Sequence, residues 1–288
     1  MTRPVRWRQA AASAARTGGW PLSFESDRIT SPEWQRILEQ GAHFWHQRRC
    51  YRILPTAPRC ELCNAPFAGI GGAALRLTRG LRPSTLNPRF CNDCELIAAR
   101  YPGGAETDVA MLFVDIRGST SLAEDMTPSA FTAVIDRFYQ AATDVLIDAG
   151  AMIEKLMGDE VTAIFVRGFA GPRYVRRAIE AGQQLLRVGG ESRAGGIGVP
   201  VGIGVHAGRA YVGAIGRAGR MVTISALGDT VNVAARLAAA AGPGEMLVSD
   251  DACRAAGVHR DAHAQRELAL KGRSVPVTVR VWTRGAHA

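Results

Sequence analysis

Two aspartates are placed where chemistry is expected: Asp115 at the end of the apolar run VAMLFVDI, and Asp159 in the Gly-Asp step between AMIEKLM and EVTAIFV. A carboxylate that closes a buried strand lies at the edge of a site rather than in open solvent. Two such groups can hold divalent cations between them. A pair of cations lowers the pKa of an attacking hydroxyl and neutralises a polyphosphate with its leaving group. Shortly after Asp115 the chain reads RGSTS and opens a helix, so backbone N–H groups at Gly118, Ser119 and Thr120 can cradle phosphates. An Asp beside a glycine also serves as an ordinary turn or cap, so neither feature decides the matter alone. Asn232 and Arg236 stand four apart in DTVNVAARL and share a helix face. The guanidinium can neutralise charge developing on a phosphate and the amide can orient an ether or hydroxyl oxygen. The same spacing also suits the polar face of an Ala-rich helix.

A second constellation lies upstream. PRCELC and PRFCNDC echo each other and give Cys60-x2-Cys63 and Cys91-x2-Cys94. Four thiolates so paired suit a closed, tetrahedral structural zinc site, with an iron-sulfur cluster or unligated, redox-active thiols as alternatives. The long gap between the pairs holds the Gly-rich stretch FAGIGGAALRLTRG, which reads as a loop. His43, His46 and Cys50 lie at helical spacing and are lesser candidates for ligands.

The elements that must position these residues follow from periodicity. VAMLFVDI is a near-continuous apolar strand, and Thr127 and Pro128 start a helix that runs to Gly150. AMIEKLM and EVTAIFV form a hairpin, followed by a helix over about residues 172–188, strands VPVGIGVHAG and RMVTISAL, helix TVNVAARLAAAA and a closing strand VPVTVRVW. This is an α+β or α/β domain over residues 108–284. Ahead of it the pattern predicts a loosely ordered basic segment over 1–30 and one amphipathic helix over 31–56, with Ser31 as N-cap and Trp34, Ile37, Leu38, Ala42 and Trp45 on one face. A small helical, cysteine-rich module follows over 57–100, then a linker over 101–107 marked by Pro102, Gly103 and Gly104.

Composition bounds the function classes. With 288 residues and 47% apolar content the chain can bury a core, and it has no apolar run long enough for a transmembrane helix. The N-terminus lacks the apolar core of a signal peptide, and the paired CxxC motifs fit a reducing compartment, so a cytoplasmic location is expected. The formal charge of +9 is local: residues 1–105 carry 15 arginines against 7 acids, and the remainder 20 bases against 19 acids. That half could meet nucleic acid or an anionic membrane, or present a solvated basic face.

LFVDIRGSTSLAE, EKLMGDEVTAIF, VGIGVHAGRAYVGAIG, ALGDTVNVAARL and LALKGRSVPVTV occur in the order and approximate spacing of the class III nucleotidyl cyclase catalytic domain, which residues 106–284 resemble. The resemblance implies an α+β, ferredoxin-like catalytic domain with an antiparallel-rich sheet flanked by helices. It implies that Asp115, the Ile116 carbonyl and Asp159 bind two Mg2+ or Mn2+ ions, that Asn232 and Arg236 stabilise the transition state, and that Lys271 binds the triphosphate. Lys155 falls at the position that reads the purine, where a lysine donates to adenine N1. Ser225 falls at the second base-reading position, where a hydroxyl can donate or accept. Lys155 and Lys271 are the chain's two lysines among 35 basic residues. The family shares each site between two protomers, so a homodimeric adenylate cyclase regulated by its N-terminal module is expected. The alternatives are a guanylate cyclase, or a silent cyclase-like binding module with a nucleic-acid-binding N-terminal half. RGST in place of the commoner xGFT removes an aromatic residue beside the aspartate loop.

Overall fold

The computed structural model describes residues 30–41, 44–54, 58–101, 103–190, 196–216, 222–259, 263–270, 273 and 275–284. Four helices come first: α1 (Pro32–Gln40), α2 (Phe44–Arg52), α3 (Gly69–Arg79) and α4 (Asn92–Arg100). Then follow β1 (Gly103–Ile116), α5 (Ser119–Asp125), α6 (Pro128–Asp148), the hairpin β2 (Met152–Met157) and β3 (Glu160–Val166), α7 (Arg167–Ala170) and α8 (Tyr174–Gly189). The chain continues through β4 (Val201–Gly216), β5 (Val222–Leu227), α9 (Asp229–Ala240), β6 (Glu245–Ser249), α10 (Asp250–Ala256), β7 (Ala264–Leu268) and β8 (Val277–Thr283).

The strands form one sheet in the order β2-β3-β1-β4-β6-β8-β7, with β5 paired to the far end of β4. β4 and β6 run parallel, and the other described pairs are antiparallel. Alternation along β1 sorts its side chains between two cores. Ala110, Leu112, Val114 and Ile116 meet Phe138 and Leu146 of α6, Ile179 and Leu185 of α8, and Ala252 of α10. Val109, Met111 and Phe113 face the opposite side, where they join Ala234 and Ala238 of α9 and the N-terminal helices. This is the mixed α+β sheet flanked by helices that the sequence predicts.

The N-terminal part is built into that second core. Trp34, Ile37 and Leu38 of α1 and Leu62, Phe90 and the four paired cysteines share one apolar cluster with Met111, Met152, Ile164 and Val212 of the sheet. Polar bonds reinforce the contact: Trp34 Nε1 donates to the Tyr101 carbonyl at 2.7 Å and Ser31 N–H to the Gly104 carbonyl at 2.7 Å. Arg48, 3% exposed, donates to the carbonyls of Glu61 at 2.9 Å and Leu62 at 2.8 Å, and also to that of Ala151 just ahead of β2. Its guanidinium lies 4.9 Å from the centre of the Phe169 ring, and burial pulls its pKa down to about 10, so it stays charged at neutral pH.

Three expectations are corrected. The linker does not separate two bodies, because Gly103 and Gly104 are the first residues of β1, opposite Ala214 and Gly213 of β4. A Cβ at Gly104 would lie 2.3 Å from the Val212 carbonyl oxygen, so glycine here permits a close strand pair rather than a flexible joint. The helix over 31–56 is two helices, since Gly41 takes φ +71 and ends α1. Of its stripe Trp34, Ile37 and Leu38 are buried, whereas Ala42 and the Trp45 side chain lie outside the described residues. FAGIGGAALRLTRG is not a loop but contains α3, closed by a left-handed Gly80. Residues 1–29 lie outside the described residues, and among those described no helix is long and apolar enough to cross a membrane.

One shared core should unfold as one unit. Arg48→Ala leaves two buried carbonyls and one half-buried one without their donor and should cost about 3 kcal/mol. Urea denaturation followed by tryptophan fluorescence and by circular dichroism should give a single coincident transition at a lower midpoint.

Candidate active site

The aspartates are brought together at the end of the sheet where β1 and the β2–β3 hairpin finish. Asp115 pairs with Glu160 of β3 on one side and Gly202 of β4 on the other. Asp159 sits in the hairpin turn after Gly158, whose φ of +62 suits glycine. The turn is pinned over the strand end: Ile116 N–H donates to the Asp159 carbonyl at 3.1 Å and Tyr139 Oη to that of Gly158 at 2.8 Å. Gly118, Ser119 and Thr120 follow at once, with Gly118 in the left-handed conformation at the start of α5. The Ser119 hydroxyl donates to Asp159 Oδ2, so its side chain holds a carboxylate.

Each carboxylate is partly committed. Arg117 Nη2 donates to Asp115 Oδ2 at 3.0 Å and to the Ala238 carbonyl of α9 at 2.8 Å. Asp115 Oδ1 is buried and has no partner among the described residues. Burial pushes the Asp115 pKa up to about 6, against the pull of Arg117 and with the nearby Asp159 charge adding to the rise. An orphaned carboxylate oxygen beside a second acid is a donor set for a hard divalent cation, and it fits the expected metal pair. Sequence reasoning passed over Arg117. Its room comes from Gly202, where a Cβ would lie 2.2 Å from Arg117 Nε.

The expected substrate residues lie on β2, β5 and α9. Helical period buries Thr230, Val233, Ala234, Leu237 and Ala238, leaving Asn232 exposed and Arg236 half-buried. No hydrogen bond or ion pair among the described residues joins either to the aspartates. Ser225 is 7% exposed, and its hydroxyl donates to Oε1 of Glu154, which is 2% exposed. Ala226 N–H donates to the same oxygen at 3.1 Å. β2 and β5, far apart in strand order, therefore meet through the residue before Lys155. Glu154 carries a signal the sequence reading missed: it is an acid inside an otherwise apolar strand start. Lys155 is exposed and lines a cavity of about 970 Å³ between α6, β2 and the cysteine loops, together with Glu61, Arg89 and Asp148. Lys271 lies outside the described residues.

The cysteine pairs converge. The sulfurs of Cys60, Cys63, Cys91 and Cys94, all buried, lie within 4.8 Å of one another. Cys63 Sγ and Cys91 Sγ are 3.7 Å apart, near the ~3.8 Å edge of a tetrahedron with metal–sulfur bonds of ~2.3 Å. The first loop turns through Asn64 at φ +65, with Asn64 N–H on the Cys60 carbonyl at 2.8 Å, and Cys91 N–H donates to Cys60 Sγ at 3.2 Å. His46 and Cys50 are exposed and are not part of the cluster, and His43 lies outside the described residues.

Comparison with known proteins agrees with this geometry. Residues 103–282 match the adenylate and guanylate cyclase catalytic domain family. An adenylate cyclase of Anabaena cylindrica is 33% identical over 141 residues, covering 47% of this chain and 28% of that one. An uncharacterised protein of Mycobacterium tuberculosis is 30% identical over 186 residues, covering 63% of this chain and 34% of that one. The chain thus spans about a third or less of the length of these curated relatives. Among solved structures, the guanylyl cyclase Cya2 superposes with a TM-score of 0.56 at 26% identity, over 62% of this chain and 93% of that one. The adenylyl cyclase CyaB of P. aeruginosa gives 0.50 at 25% identity, over 64% and 98%. With paired aspartates at the sheet end and a family match that spans most of its length, the chain belongs to the adenylate and guanylate cyclase catalytic domain family.

Proposed function

We propose that the chain is an adenylate cyclase, converting ATP to 3′,5′-cyclic AMP and pyrophosphate in the cytoplasm. The observation that carries the reading is the buried, unpartnered Asp115 Oδ1 beside Asp159, a site made for divalent cations. Two Mg2+ or Mn2+ ions, held by Asp115, Asp159 and the Ile116 carbonyl, would supply neutralising charge at the triphosphate and a lowered pKa at the ribose 3′-hydroxyl. Arg117 and Ser119 each occupy one oxygen of an aspartate and so fix which oxygens are left to a cation. In the reaction the 3′-oxygen loses its proton and bonds to the α-phosphorus, while the bond from that phosphorus to the pyrophosphate oxygen breaks. Arg236 neutralises charge growing on the α-phosphate, Asn232 orients the ribose, and Lys271 with the backbone of Gly118, Ser119 and Thr120 holds the polyphosphate. Lys155 selects adenine, because its ammonium can donate to adenine N1, whereas guanine N1 carries a proton.

The aspartates of one protomer work with Lys155, Ser225, Asn232 and Arg236 of its partner in this reading. The resemblance to the cyclase family, which shares each site between two protomers, supports this division. At the four cysteines we place zinc rather than an iron-sulfur cluster, because sulfurs within 4.8 Å of one another enclose a single ion. We also read the N-terminal part as a regulator of the catalytic domain, and the core it shares with the sheet supports that reading.

Full-length protein given equimolar ATP and GTP with excess Mn2+ should make chiefly cyclic AMP by chromatography, with Asp159→Ala as the blank. Dominant cyclic GMP would overturn the substrate assignment. Asp159→Ala and Arg236→Ala should each be inactive, yet their equimolar mixture should recover about a quarter of the wild-type rate, since half the dimers hold one intact site. A mixture as dead as its parents, with subunit exchange verified, excludes a shared site. Native mass spectrometry should find one zinc per chain, lost when Cys60 and Cys91 are both replaced by serine.

A further inference from the structure

Glu154 lies where the ladder between β2 and β3 shifts register. Ile153 and Lys155 pair with the consecutive residues Ala163 and Thr162, so Glu154 is the extra, unpaired residue of a bulge. Bulges of this kind re-aim side chains beside active sites. Here the bulge sends a carboxylate into the interior, where Oε1 accepts from both the Ser225 hydroxyl and Ala226 N–H. The backbone carbonyl of Glu154, left over by the bulge, accepts from Arg89 Nη2 at 2.8 Å. Arg89 Nε in turn donates to the carboxylate of Glu61. Glu61 lies between Cys60 and Cys63, and Arg89 stands two residues before Cys91. The base-reading strand is thereby held by the cysteine loops.

A serine hydroxyl has one hydrogen and two lone pairs. With the hydrogen committed to a carboxylate that can only accept, Ser225 faces any further partner as an acceptor. Adenine carries an amino group where guanine carries the O6 carbonyl. An acceptor-only Ser225 bonds the first and sets lone pair against lone pair with the second. We propose that Glu154 is the specificity-determining positioning residue of this cyclase: by taking the Ser225 proton it turns an ambiguous hydroxyl into an adenine-selecting acceptor, and Arg89 ties that selection to the cysteine centre. The inference rests on the reading of Ser225 as a base contact.

The test compares kcat/KM for ATP and GTP, and the affinities for their non-cyclising 3′-deoxy analogues, in the full-length protein. Glu154→Met releases the Ser225 proton, so the ATP-to-GTP ratio should fall about tenfold or more, with the absolute value for GTP rising. Damage to folding cannot raise a rate for GTP. Glu154→Gln presents an oxygen to Ala226 N–H and Ser225 alike and should keep the wild-type ratio. In a Ser225→Ala background Glu154→Met should add no further change. Arg89→Met should move the ratio the same way while the zinc content stays at one per chain. A ratio unchanged in Glu154→Met, with turnover intact, overturns the proposal and leaves the cyclase reading standing. An unmoved ratio in Arg89→Met overturns the tie to the cysteine centre. If no cyclic nucleotide forms but the analogue affinities shift as described, the cyclase reading fails and this one holds; if Glu154→Met also fails to fold, an ATP preference retained in Ser225→Ala overturns it.

Discussion

The antiparallel register of β1 against β4 fixes the rest of the molecule. It runs from Gly103 opposite Ala214 to Ile116 opposite Val201, and its glycines sit where another chain element crosses the sheet. Gly204 admits α9, since a Cβ there would lie 2.2 Å from the Ala238 amide nitrogen. Gly202 admits the Arg117 side chain that bonds both Asp115 and the end of that helix. A slip of one residue would turn Asp115 to the other face and exchange the two cores, so the same hydrophobic alternation that stabilises the sheet also places the acids. The placement of Asp115 is thus a by-product of register.

The second consequence of that sheet is an apolar face that α9 alone does not cover. Met111, Met152, Ile164 and Val212 are completed by Trp34, Leu38, Leu62 and Phe90, residues from a stretch that uses its large side chains against the sheet. A segment of that size has little core of its own, and a metal ion is the usual substitute. Where an ion binds thiols that are themselves part of the shared core, its binding energy enters the stability of the sheet as well as that of the loops. The regulation proposed for the cysteine part would need no hinge. A change in those loops is already a change in the packing beneath β2.

The sequence showed the features that depend on short-range pattern. A near-continuous apolar run marked β1 from Val109 onward, Thr127 and Pro128 marked the start of α6, where Thr127 Oγ1 accepts from Ala130 N–H at 3.3 Å, and the Gly-Asp step marked the hairpin. The two aspartates and the four cysteines were legible because strand ends and CxxC loops constrain them locally. The opposite holds for Gly104, which reads as a linker until Val212 is known to lie against it. Glycines in FAGIGGAALRLTRG argued for a loop, yet the Ala, Leu and Arg between them carry α3, whose buried residues Gly71, Gly72 and Leu75 lie on one side. Arg117, Glu154 and Arg89 act on groups 121, 71 and 65 residues away. No local pattern can encode such partners.

The basic character of the N-terminal half also takes a different meaning. Arg48 caps the carbonyls of Glu61, Leu62 and Ala151; Arg52 reaches that of Asp148; Arg59 holds those of Tyr51, Leu54 and Asn64; and Arg89 bridges Glu61 and Glu154. A planar fork with five donors can join two or three acceptors at once, which a lysine ammonium on a flexible stem does less well. These four of the fifteen arginines in residues 1–105 are therefore structural, committed to oxygens of the protein itself. Lys155 differs in kind: it is exposed, and no hydrogen bond to its side chain is seen among the described residues. These arginines serve as fixed forks that hold chain to chain, whereas the Lys155 side chain is left on the wall of the cavity.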